Sequence, residues 1–178
     1  MDDRKTREDW LRAGLQALAE DGADGLRVMS VARRLNVTKG SFYWHFAGLD
    51  AYLGELAQYW ERSHTQDAID CVERLGGDAQ TKLRHWLKGA AASDLALDRA
   101  IRSWALTHPS TRDVQLRVDG QRTAYLTTLL RGAGRSKAEA ATLGRWAYWA
   151  FIGYSTLEGA TVTEKEIDLI LSVLIPVT

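Results

Sequence analysis

Several things are scarce in this chain, and each scarcity excludes something. A single cysteine, Cys71, rules out an internal disulfide framework and suits a reducing compartment. Only two prolines occur, Pro109 and Pro176, so little in the sequence interrupts a helix. No apolar run approaches the roughly 18 residues of a membrane span. The opening residues, Met-Asp-Asp-Arg-Lys, lack the apolar stretch of a signal peptide. The expectation is a cytoplasmic protein with no membrane partner. Net charge is missing too, since 23 Lys and Arg balance 23 Asp and Glu.

The neutral total hides a local imbalance. Between Gly25 and Leu49 stand four basic residues, Arg27, Arg33, Arg34 and Lys39, and no carboxylate; the preceding 24 residues carry four basic and seven acidic ones. A basic block inside a neutral protein confines its electrostatic footprint to one face. Apolar residues make up 46% and charged residues 26% of the chain, as in an ordinary globular protein of one or two small domains.

Periodicity predicts an all-α fold of about nine helices. Thr6 with Asp9 three residues on reads as a capped helix start. Trp10, Leu11, Gly14, Leu15 and Leu18 follow at helical spacing, and Gly22 stops the run. A short helix over Met29 to Leu35 comes next, then Asn36, a residue that tolerates the left-handed conformation of a tight turn. Thr38 is placed to cap a third helix running to about His45. From Leu49 the spacing of Leu53, Leu56, Trp60, Cys71 and Leu75 predicts one long helix ended by Gly76-Gly77, about 40 Å at 1.5 Å per residue. Further helices are expected from Asp78 to Ala92, Leu95 to Thr107, Ser110 to Gly132, Ser136 to about Glu158 and Thr163 to about Leu174; Ser136–Glu139 and Thr163–Glu166 are full capping-box patterns.

Residues 26 to 46, LRVMSVARRLNVTKGSFYWHF, carry the chemistry. Helix, tight turn and helix follow one another, with small Ala32 where two helices must come close and Val37 and Phe42 placed to seal the pair. That compact core lets a second helix stand out rigidly enough to enter a major groove. The second helix is poor by intrinsic propensity, with Gly40 near its start and three consecutive rings before His45 and Phe46. It makes sense if Gly40 lets backbone approach a base edge. Tyr43 and His45 can donate to phosphate oxygens, and Thr38 and Lys39 sit where helix N–H groups favour phosphate. Thr38, Lys39, Gly40, Ser41, Tyr43, Trp44 and His45, with Arg27 and Arg33, are the expected DNA contacts. Arg33 and Arg34 also fit a simple solvated face, and Trp44 could pack on the first helix.

These residues resemble the tetracycline-repressor (TetR) family, whose signature Thr-x-Gly-x-Phe-Tyr-x-His-Phe is matched at Thr38, Gly40, Phe42, Tyr43, His45 and Phe46. Ala32, Leu35 and Val37 match as well, and the resemblance is strong over residues 6 to 56. Asn36 replaces the family's commoner glycine. Ala47-Gly48-Leu49 lacks the lysine usual three positions after the Phe, which implies either weaker non-specific affinity or compensation by Arg7 and Arg27. The resemblance implies a DNA-binding domain over residues 1 to 48 and an effector-binding, dimerising helical domain over 49 to 178. It also implies a homodimer on a pseudo-palindromic operator, acting as a transcriptional repressor that a small molecule releases. A ligand-independent or co-repressed regulator is the alternative.

In the C-terminal part, small residues recur between large ones. Leu143, Gly144, Ala147, Phe151 and Tyr154, then Ile167, Ile170, Leu171 and Leu174, are the expected dimer interface. Seven tryptophans are many for 178 residues. Trp60, Trp86, Trp104 and Trp149, with His64, His108 and Tyr125, are candidates to line a cavity for an apolar or aromatic effector, although plain core packing explains each one as well. His64, Asp67, Asp70 and Cys71 offer only two donors on one helix face, short of the four a structural zinc needs, so no metal is expected. With acidic neighbours and no resolving cysteine, Cys71 is not expected to act as a redox sensor. With no Ser/His/Asp set, phosphate loop or paired carboxylates, neither an enzyme nor a cofactor is expected.

Overall fold

A computed structural model describes residues 5–157, 159 and 161–176. Among these residues there are ten α-helices: α1 (Arg7–Asp21), α2 (Val28–Arg34), α3 (Lys39–Tyr43), α4 (Leu49–Glu61), α5 (Asp67–Leu75), α6 (Ala79–Ala91), α7 (Leu95–Ala105), α8 (Pro109–Gly132), α9 (Lys137–Thr156) and α10 (Glu164–Leu174). A 3₁₀ turn, Gly22–Leu26, follows α1, and a π-turn, Arg62–Gln66, joins α4 to α5. Counting that joined run once gives the nine expected helices. The expected end near Glu158 lies outside the described residues.

Helix starts fall where the caps are. Thr6 and Asp9, Ser136 and Glu139, and Thr163 and Glu166 each form a complete capping box, and Asp78 accepts from the Thr81 N–H. Each box satisfies donors that the first helical turn leaves unpaired. Pro109 occupies the first position of α8, where a missing N–H is harmless. Thr38 departs from expectation: it holds the N-cap backbone conformation, but its side chain makes no cap bond.

The long run from Leu49 is not one uninterrupted α-helix. Its buried positions are Tyr52, Leu56, Ala57, Trp60, Thr65 and Val72, while Cys71 and Leu75 are exposed. The step from 60 to 65 is one residue longer than an α-helical step and coincides with the π-turn. That extra residue moves the inward stripe by one position, so a spacing extrapolated through residue 75 selects the wrong side chains.

Packing divides the chain into two compact units: residues up to Arg62 with Leu95–Leu116, and Ser63–Asp94 with residues from Arg117 onward. This is a partition by packing, distinct from the functional boundary expected after Gly48. In the first unit, Phe42 lies 5.4 Å edge-on from Trp10, 5.4 Å from Tyr52 and 5.2 Å from Phe46. Such aromatic pairs add about 0.5–1.5 kcal/mol each beyond burial. Tyr52 donates to the Trp10 carbonyl at 3.0 Å. Gly14 makes this close approach of α1 and α4 feasible, because a Cβ there would overlap the Tyr52 hydroxyl. The second unit is built on Leu83, Leu126, Leu129, Leu130, Ala140, Tyr148, Ile167, Leu171 and Leu174. Arg135 closes it by donating to the Leu174 carbonyl at 2.8 Å and the Val173 carbonyl at 2.9 Å, the last carbonyls of α10. Among the described residues no helix is long and apolar enough to cross a membrane.

Candidate functional site

The α2–turn–α3 segment sorts its side chains cleanly. Asn36 takes φ 54°, and the chain reverses so that the Val37 N–H donates to the Ala32 carbonyl at 3.0 Å. Val31, Ala32 and Phe42 are buried and fix α3 through its single inward ring. Thr38, Lys39, Gly40, Tyr43 and Trp44 are exposed, Trp44 to 89% and Tyr43 to 55%, while Ser41 and His45 are half-buried. Trp44 therefore does not pack on α1. The Lys39 ammonium sits 6.0 Å from the Tyr43 ring centroid. At Gly40 a Cβ would meet only the Thr38 hydroxyl, at 3.7 Å. Nothing within the protein requires a glycine here; its bareness is presented outward.

The basic block is more selective than its composition suggests. Arg34 pairs with Glu20 and Asp21 at the end of α1, so it holds α2 in place. Hydrogen bonding to Arg34 holds the Glu20 carboxyl below its ordinary range. Arg27 pairs with Asp24 at 2.7 Å, an exposed bridge that a competing anion can open cheaply. Arg7 is bound through two nitrogens to Glu55 and lies 4.9 Å from the Phe46 ring centroid. Arg7 thus fastens α1 to α4. Arg33 is exposed and makes no ion pair among the described residues.

The candidate effector residues are divided between the two units. Trp60, Trp104 and His108 belong to the first unit, His64, Trp86, Tyr125 and Trp149 to the second. Trp60 and Trp104 are core side chains, each 2% exposed, and the Trp104 ring lies 5.5 Å from His108. The His64 Nδ1 pairs with the Ser63 hydroxyl at 2.8 Å. Trp86 meets Tyr125 edge-on at 5.0 Å, and Tyr125 donates to Glu73 at 2.7 Å. Trp149 is 55% exposed on α9, its ring 5.6 Å from that of Trp146. An open groove of about 290 Å³ lies between α1 and α7, bordered by Ala19, Gly22, Ala96, Ala100 and Ser103, and includes none of the seven candidates.

Most of the expected dimer face is turned into its own unit. Gly144 is buried against Thr127, where a Cβ would stand 2.6 Å from the hydroxyl. Ile167, Leu171 and Leu174 belong to the core of their own unit. Leu143, Ala147 and Phe151 pack half-buried against that core, and Tyr154 is half-buried too. Of the expected set only Ile170, 40% exposed, faces outward. The outward apolar residues are instead Trp146, Trp149 and Leu157 on and just after α9, and Leu169 and Val173 on α10, all more than half exposed. The spacing of Trp146 and Trp149 is the sequence signal for this stripe; a glycine among large residues marked the inward side.

The fold and this exposed second helix define a helix-turn-helix protein. Residues 11–55 match the model of the bacterial regulatory proteins of the tetR family. The tetracycline repressor protein class A of Escherichia coli is 36% identical over 103 residues, 57% of this chain and 44% of that protein. The class C repressor is 34% identical over 106 residues, 60% of this chain and 45% of that one. The aligned stretch thus spans less than half the length of these relatives. Among solved structures, reduced NemR of E. coli superposes with a TM-score of 0.77 at 15% identity, covering 96% of both chains. A transcriptional regulator from Rhodococcus sp. Rha1 gives 0.68 at 21% identity, covering 96% of this chain and 94% of that one. These likenesses show the fold.

Proposed function

We propose that the protein is a homodimeric, DNA-binding transcriptional regulator of the cytoplasm, a repressor that leaves a pseudo-palindromic operator when a small apolar or aromatic molecule binds its C-terminal part. The observation that carries the reading is α3. One ring, Phe42, anchors it, and Lys39, Gly40, Tyr43 and Trp44 are exposed without serving the core. DNA binding is assigned to residues 1 to 48, with Thr38, Lys39, Gly40, Ser41, Tyr43, Trp44 and His45 on α3 and its flanks, helped by Arg33 and by Arg27 once its exposed bridge opens. The repressor sense follows the names of the two E. coli relatives.

Dimerisation is assigned to the outward stripe of Trp146, Trp149, Leu157, Leu169, Ile170 and Val173. Large apolar side chains exposed together on a protein surface mark an interface. A twofold pair would present two α3 helices to half-sites about 34 Å apart. In vitro selection from a random duplex library tests the reading. The expected result is enrichment of a two-half-site sequence that Gly40→Leu no longer binds. No enrichment, or equal binding by Gly40→Leu, overturns it. Titrating apolar and aromatic compounds into the same assay separates release by ligand from ligand-independent or co-repressed binding.

A further inference from the structure

The π-turn at Arg62–Gln66 is the one place where the helical run from Leu49 to Leu75 holds a residue too many. Such an insertion changes the backbone hydrogen-bond pattern locally. Arg122 of α8, itself only 6% exposed, reaches this turn. Its Nε donates to the Thr65 hydroxyl at 3.2 Å and a terminal nitrogen donates to the His64 carbonyl at 3.1 Å. Thr65 is fully buried. The guanidinium also lies 5.9 Å from the Phe151 ring centroid. All these groups belong to the second compact unit. A planar guanidinium presents its N–H groups as a rigid fork, so two bonds to successive residues fix the local backbone rather than merely touch it.

We propose that Arg122 is a positioning residue that latches this turn in its π form: one rigid fork holds the Thr65 hydroxyl and the His64 carbonyl together.

Amide hydrogen exchange of the full chain tests the latch directly. Thr65→Val keeps the side-chain volume and removes the acceptor; Arg122→Lys keeps the charge and removes the fork; Thr65→Ser keeps the acceptor. In Thr65→Val and Arg122→Lys, exchange across residues 62–66 is expected to rise about tenfold, with α1 and α10 unchanged, and Thr65→Ser is expected to match the wild type. Wild-type exchange in Thr65→Val, or an equal rise in Thr65→Ser, overturns the latch. If Arg122→Lys exchanges rapidly everywhere it has lost its fold, and the Thr65 pair decides.

Discussion

A glycine in the second position of a five-residue helix weakens that helix by about 1 kcal/mol relative to alanine, and in α3 no neighbouring atom uses the space it leaves. Gly40→Leu is therefore expected to leave the thermal midpoint unchanged or slightly raised while abolishing operator binding; a fall in both would make the glycine structural. Lys39→Ala is expected to weaken binding to all duplexes and to reduce the slope of log K against log salt by about 0.9, the share of one phosphate. Gel-shift titrations from low to high salt measure it, and an unchanged slope removes Lys39 from the contacts. Arg34 acts on the fold instead. Glu20, held below the ordinary carboxylate range by Arg34, contributes stability that is fully present above its unfolded pKa of 4.5 and is lost as pH falls through the lower folded value. Arg34→Gln should accordingly narrow the difference in urea midpoint between neutral and acid solution, and an undiminished difference would place that acid sensitivity on the capping-box carboxylates.

Among the elements, α1 and α4 are matched by one small and one large residue. Gly14→Ala is expected to destabilise by roughly 1–3 kcal/mol through overlap with the Tyr52 hydroxyl. Tyr52→Phe removes the overlapping atom, so the double variant should recover part of that loss in urea unfolding; simple additivity would mean the two side chains do not meet. Helix starts were legible in the sequence because caps are chemical: Thr6, Ser136 and Thr163 each needed a carboxylate three residues on, and each had one. The turn at Asn36 was legible for a similar reason, as few side chains tolerate φ 54°. The π-turn was not, because an inserted residue leaves no mark of its own on composition. Arg122 was equally silent, since a lone arginine on a long helix reads as solvated until Thr65 and the His64 carbonyl are seen to receive it.

At the scale of the whole molecule, the faces of α9 and α10 were the hardest part to read. Both faces of α9 mix small and large apolar residues, and only packing shows that Gly144 serves Thr127 inside while Trp146 and Trp149 stand outside. The two faces predict opposite outcomes. Trp149→Glu should shift the protein towards monomers in analytical ultracentrifugation while its thermal midpoint at low concentration holds. Gly144→Leu should instead unfold its unit, because the added side chain has no room beside Thr127. A dimer that survives Trp149→Glu would move the interface elsewhere.

Cys71 lies exposed on α5, and the chain has no other thiol. A nitroxide or fluorophore delivered as a maleimide will therefore attach at one address without any prior engineering. In a twofold assembly two such labels report a single distance, so pulsed dipolar spectroscopy with and without a candidate compound can register movement of the subunits before the compound's binding place is known.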